Sequence, residues 1–261
     1  MIANEAAHSS LADPRGRDVV LPVGLADASG HTQREARLRK LTGHEEELLY
    51  DTTLSPGRLV TELIRRCVVS LGDAPIPLAP ETVWRMSVAD RDLLLLELRR
   101  FTLGDRLRAS YACPNCTSEV LVDEDLSTVP VRAAMGELTT TVKLTDGYVG
   151  RDGALHDEIV VRAPTGEDQD TVLRMSGEDP LRARDALLLR CIVRFGSLRT
   201  ADLEGLGLKL LRDLTLGDRR LLFQALAERL PGVDFRRRVR CGACGCQFEA
   251  VLDATDFFGP G

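Results

Sequence analysis

Aromatic side chains are scarce in this sequence: 4% of its 261 residues, with a single Trp. The core must then be aliphatic, built mainly from Leu and Val, and a base-stacking platform for nucleic acid is not expected. Positive charge is in deficit as well. The 34 Lys and Arg are outnumbered by 40 Asp and Glu, giving a net charge of −6, so the overall field repels phosphate backbones and anionic membranes. Nucleic-acid binding would need a local basic patch. Long apolar runs are missing too: Leu93 to Leu96 falls far short of the roughly 18 residues that a membrane span requires. The N-terminal stretch MIANEAAHSSLADPRGRD spreads its charges and has no apolar h-region, so a soluble protein without a signal peptide is expected.

Catalytic signatures are equally absent. There is no G-x-x-x-x-G-K-[ST] loop, no H-E-x-x-H and no G-x-S-x-G. The four His residues, His8, His31, His44 and His156, stand outside the cysteine pairs, and none reads as a base held by an orienting partner. No enzyme is expected.

What is present is a sequence written twice. Gly24, Gly30, Glu35, Arg39, Thr42 and Gly43 match Gly147, Gly153, Glu158, Arg162, Thr165 and Gly166 at a constant spacing of 123. One residue of slippage later, Ser55-Pro56, Leu63, Arg66, Cys67, Val69 and Gly72 match Asp179-Pro180, Leu187, Arg190, Cys191, Val193 and Gly196. Four more residues enter the second copy within Ser197 to Leu214. Asp90, Arg91, Leu93, Leu94, Leu98, Gly104, Cys113 and Cys116 then find Asp218, Arg219, Leu221, Leu222, Leu226, Gly232, Cys241 and Cys244. The expected organisation is a flexible N-terminus (1–18), a first unit (19–128), a linker (129–141) and a second unit (142–261).

Each unit reads as a hairpin, helices and a strand–knuckle–strand, an α+β class. Val19 to Val23 with Arg34 to Leu41, and Val142 to Tyr148 with Glu158 to Ala163, form the hairpins. Thr42 with Glu45, and Thr165 with Asp168, make capping boxes, and Glu45-Glu46-Glu47 is expected as a solvated first turn. Ser55-Pro56 and Asp179-Pro180 open helices expected to reach Leu71 and Phe195. Ser87 with Asp90, and Thr215 with Asp218, open a further helix closing near Gly104 and Gly232, with helix capping as the expected role of both aspartates.

Seven cysteines in a chain too large to need disulfide staples point to a reducing compartment and a metal. Cys113 and Cys116 form one C-x-x-C on a tight turn, and Cys241 and Cys244 the other. Two such knuckles complete a closed, tetrahedral four-thiolate site for a structural zinc. The sequence separation of the pairs is unusually long, but a pseudo-two-fold arrangement of the units would bring them around one ion. A disulfide within each pair and metal-free thiols are the alternatives. Cys246 could replace Cys244, although Ser118 holds its place in the first unit, and Cys67 and Cys191 read as core thiols. The basic run Arg236, Arg237, Arg238, Val239, Arg240 flanks the second knuckle. It reads as an exposed strand face or a rim meeting an acidic partner; nucleic-acid binding by a zinc-ribbon adaptor or regulator is the alternative.

Leu21-Pro22-Val23-Gly24, Arg34 to Arg39 and Leu41 to Leu49, with Asp90 to Leu95 and Cys113-Pro114-Asn115-Cys116, resemble the T-even-type phage baseplate protein family. The resemblance covers mainly residues 19–126, with the terminal C-x-x-C as a second anchor. It implies a structural or assembly component of a contractile phage tail or phage-tail-like injection system, meeting baseplate, hub, spike or tube proteins. No small-molecule substrate is implied. Assembly in the bacterial cytoplasm is the implied location.

Overall fold

The computed structural model describes residues 15–26, 30–134, 138–150, 152–176, 179–252 and 257–258. Residues 1–14 of the expected flexible N-terminus, His8 among them, and residues 135–137 of the expected linker lie outside this set. The first half runs β1 (Arg17–Ala26), β2 (Thr32–Leu38), α1 (Gly43–Leu49), α2 (Pro56–Cys67), β3 (Val68–Leu71), α3 (Pro80–Arg85), α4 (Val88–Leu103), β4 (Arg106–Ala112), β5 (Glu119–Asp125) and β6 (Val131–Arg132). The second runs β7 (Thr139–Val149), β8 (Leu155–Arg162), α5 (Gly166–Ser176), α6 (Pro180–Cys191), β9 (Ile192–Phe195), α7 (Thr200–Leu206), α8 (Leu208–Asp213), α9 (Leu216–Arg229), β10 (Gly232–Val233), β11 (Arg236–Arg240) and β12 (Gln247–Val251). Helices and antiparallel strands are mixed, which makes the fold α+β. Among the described residues no helix is long and apolar enough to cross a membrane.

The three-stranded sheets β1-β2-β3 and β7-β8-β9 have the same order, and their irregularities fall at corresponding places. The β1–β2 register shifts between Val20 and Leu25, and β7–β8 between Lys143 and Tyr148. β2–β3 shifts between Arg37 and Leu38, and β8–β9 between Val160 and Val161. Gly24 (φ 90°) and Gly147 (φ 71°) sit inside the first pair of bulges, in a left-handed conformation that a Cβ would penalise.

Both capping boxes form. Thr42 N donates to Glu45 Oε2 at 3.0 Å and Thr165 N to Asp168 Oδ2 at 2.9 Å. Glu45 is not the solvated residue expected of a first turn. It is 1% exposed and receives Arg39 bidentately at 2.9 Å, as Asp168 receives Arg162 at 2.6 and 3.1 Å. An acid can be buried here because an arginine and the cap amide satisfy it together.

The helices opened by Ser55-Pro56 and Asp179-Pro180 end earlier than expected, at Cys67 and Cys191. The strands that follow open on β-branched Val68 and Ile192, which pair with Leu38 of β2 and Val161 of β8, so tertiary strand pairing overrides continuation of the helix. Asp90 and Asp218 stand at the third position of α4 and α9, but their carboxylates leave the helix. Asp90 accepts from Val23 N (2.8 Å) and Gly24 N (3.0 Å), and Asp218 from Thr145 N (2.7 Å), Asp146 N (3.1 Å) and Gly147 N (2.9 Å). Each aspartate therefore clamps the bulge of its own sheet. Capping is left to Ser87, whose hydroxyl accepts from Ala89 N, and to Thr215, which accepts from Asp218 N.

Among the described residues the apolar side chains form two clusters. The second contains Val142, Leu144, Ile159, Val161, Leu188, Phe195, Leu210, Leu211 and Leu222. The first holds Leu21, Leu38, Leu63, Ile64 and the α4 leucines, and it also takes Val239, Leu252, Phe257 and Phe258 from the C-terminal end of the chain. The halves are joined in three further ways. Within the expected linker, Val131 and Arg132 form β6 and pair with Val233 and Gly232 of β10. Val88 N donates to Pro164 O at 2.9 Å and Gly166 N to Met86 O at 3.0 Å. Arg91, 1% exposed, lies so close to Gly166 that a Cβ there would stand 1.6 Å from its Nη1.

Candidate metal centre

Each C-x-x-C sits where a two-stranded ribbon turns, β4–β5 and β11–β12, both antiparallel. The turns are closed by the same hydrogen bonds. Cys113 N donates to Ser118 O (3.0 Å) and Thr117 N to Cys113 O (2.9 Å); Cys241 N donates to Cys246 O (2.8 Å) and Gly245 N to Cys241 O (2.9 Å). The residue after the second cysteine is left-handed in both, Gly245 at φ 74° and Thr117 at φ 59°. Glycine adopts this freely. Threonine does so here because its Oγ1 also donates to Cys116 O at 2.7 Å and the knuckle fixes both neighbours.

The two ribbons meet tip to tip. Cys113 Sγ lies 3.6 Å from Cys244 Sγ and Cys116 Sγ 3.6 Å from Cys241 Sγ, and all four sulfurs lie within 4.8 Å of one another. A tetrahedral ion with metal–sulfur bonds of about 2.3 Å sets its ligands about 3.8 Å apart, so the donor set and its spacing fit a four-thiolate metal. Disulfides require sulfurs about 2.05 Å apart, and all seven cysteines are free, so the disulfide alternative is not the arrangement found.

The surroundings favour thiolate at Cys116 and Cys244 but not at Cys241, where the lowering effect of the Cys244 amide is outweighed by burial and the neighbouring Cys116 and Cys244 sulfurs, and the thiol is pushed up to about 11. The Cys116 thiol is lowered to about 6, first by the Ser118 hydroxyl, 3.3 Å from its sulfur, and next by the Ser118 amide. The Cys244 thiol is also lowered, first by the side chain of Asn115, so the first knuckle steadies a sulfur of the second. Cys113 and Cys241 are buried, whereas Cys244 is exposed. Four neighbouring thiolates repel one another, and a divalent cation offsets that repulsion.

Cys246 occupies the place of Ser118 and lies outside the foursome, its thiol facing Gln247 O at 3.7 Å. Cys67 and Cys191 are buried, and burial pushes both thiols up to about 12, as core residues without a ligand role should be.

The basic run divides by strand alternation. Arg236 is held by Asp234 at 2.9 and 2.8 Å. Arg237 points inward, where Glu124 of the other ribbon accepts from its Nε at 3.0 Å and from Tyr111 Oη at 2.9 Å. Glu124 is 8% exposed, so this triad is a second joint between the ribbons, beneath the sulfurs. Arg238 and Arg240 remain exposed. The joint was hidden from sequence reasoning because Glu124 looks like one more acid in the run Asp123-Glu124-Asp125, and only the ribbon-to-ribbon contact distinguishes it.

The sequence profile of a family described as T4 bacteriophage base plate protein matches residues 28–259. No curated protein and no solved structure matches the chain.

Proposed function

The chain belongs to the T4 bacteriophage base plate protein family, and from that premise we propose that it is a structural or assembly component of a contractile phage-tail-like injection system. It meets hub, spike or tube proteins through its surface and is assembled in the bacterial cytoplasm. The match over residues 28–259 carries this reading, because it spans both halves and both knuckles.

The chain is an internal duplication, 19–128 and 142–261 joined by 129–141, whose copies share one structural zinc held by Cys113, Cys116, Cys241 and Cys244. Matching sheet order, bulges, aspartate clamps and arginine–acid pairs support the duplication. The sulfur spacing supports the metal. When bound, the ion cross-links the two ribbons, and because it binds only the folded chain its binding free energy adds to stability.

Co-purification of the tagged chain with sheath, tube or spike proteins is the expected result. A salt-dependent affinity for DNA or RNA without such partners would favour the adaptor reading instead, acting through Arg238 and Arg240. That outcome is disfavoured by the net charge of −6 and by the engagement of Arg236 and Arg237 with Asp234 and Glu124.

A further inference from the structure

Away from the sulfurs, one buried group that lacks a full set of partners is His156. The residue is 4% exposed, Nδ1 lies 3.5 Å from Ser197 Oγ, and Nε2 is buried without a hydrogen-bond partner among the described residues. Such an atom is costly unless something meets it. Packing does not require an imidazole here. The corresponding residue of the first half is Gln33, whose side chain covers Gly72 as His156 covers Gly196.

His156 lines a cleft of about 450 Å³, together with Tyr148, Gly150, Asp152, Leu198 and Leu206. One wall belongs to α7, in the stretch that is longer in the second half than in the first. A Cβ added at Gly150 would stand 2.6 Å from Asp152 Oδ1 and 2.9 Å from His156 Nε2. Asp152 Oδ1, which also accepts from Ala154 N at 3.0 Å, and His156 Nε2 therefore both lie close against Gly150, where a side chain would press on them. No hydrogen bond joins Nε2 to the Asp152 carboxylate. With the proton on Nδ1, directed at Ser197 Oγ, Nε2 is an acceptor beside a second acceptor. The complementary group is a cation rich in N–H donors.

We propose that this cleft receives a lysine or arginine side chain presented by a neighbouring protein of the assembly. The polar atoms take its charged end, and Tyr148, Leu198 and Leu206 take its alkyl stem. The one cation among the described lining residues, Arg199, is already held by Asp202 at 2.9 and 3.1 Å. Val149 and Leu155, a cross-strand pair 62% and 58% exposed on the same hairpin, offer apolar contact beside the opening. The chain's net charge of −6 favours basic partners.

The proposal rests on the reading of the chain as a component held by protein contacts, and its test uses free probes. The full-length, nitrogen-15-labelled protein is titrated with N-acetylarginine amide and N-acetyllysine amide while the histidine ring nitrogens are followed by NMR. The His156 signal, identified by its loss in His156→Gln, should move saturably with one or both probes and stay still with N-acetylglutamate. Gly150→Ala, whose Cβ would press on Asp152 Oδ1 and His156 Nε2, should weaken probe binding at least tenfold in a protein that melts normally. No movement, an equal response to the glutamate derivative, or full binding by Gly150→Ala would overturn the proposal. A response to the probes with no partner proteins on co-purification would instead count against the assembly reading alone.

Discussion

Replacing Asp218 by Ala removes the acceptor of three backbone amides, Thr145, Asp146 and Gly147, from a carboxylate with no exposed surface. Leaving a buried donor unpaired costs about 1–3 kcal/mol, and part of this bulge can reach water, so Asp218→Ala should lose about 3–5 kcal/mol. Asp90→Ala strips only two amides, Val23 and Gly24, and should lose about 2–4 kcal/mol by the same reasoning. Asp218→Asn keeps one acceptor oxygen and should fall between wild type and the alanine variant. Urea denaturation followed by circular dichroism gives the free energies. Amide hydrogen exchange should show faster exchange at Thr145 to Gly147, with α9 still protected. Had the aspartates served only as helix caps, each alanine would cost about 1 kcal/mol and loosen the first turn of the helix. A loss near that size, or a larger loss from Asp90 than from Asp218, would refute the clamp.

Glu45 is held at about 2, well below its ordinary 4.5, first by its hydrogen bond with Arg39. Its stabilising contribution is thus present above about pH 4.5 and fades as pH falls toward 2; Glu45→Gln should lose about 2–3 kcal/mol at neutral pH and flatten the acid limb of the stability curve, as pH-dependent melts will show. Gly166→Ala should destabilise by about 1–3 kcal/mol through overpacking against Arg91, and a double-mutant cycle with Arg91→Ala should recover much of that loss. Chelator competition should find Cys244→Ser severely weakened in metal affinity and Cys246→Ser close to wild type, because only the former belongs to the foursome.

The local signals in the sequence translated directly into structure. The capping boxes, the N-cap prolines and the two knuckles form where residue types demand them, since each depends on neighbours within a few positions. What was illegible depended on distant contacts. Cys67 ends a helix because β2 is waiting for Val68, and Asp90 looks identical in sequence whether it caps α4 or reaches across to β1. The buried role of Glu124 likewise appears only when the second ribbon lies against the first. The packing of Val239, Leu252 and Phe257 into the first core is of the same kind, for no periodicity tells a strand which half it will cover.

The most direct test of the shared four-cysteine site is metal and thiol content in freshly purified, reduced protein. Native mass spectrometry with elemental analysis should find one zinc per chain, and metal removal should make the thiols of Cys113, Cys116, Cys241 and Cys244 newly reactive together. A chain that folds with no metal, or one whose metal survives Cys113→Ser unchanged, would contradict the account.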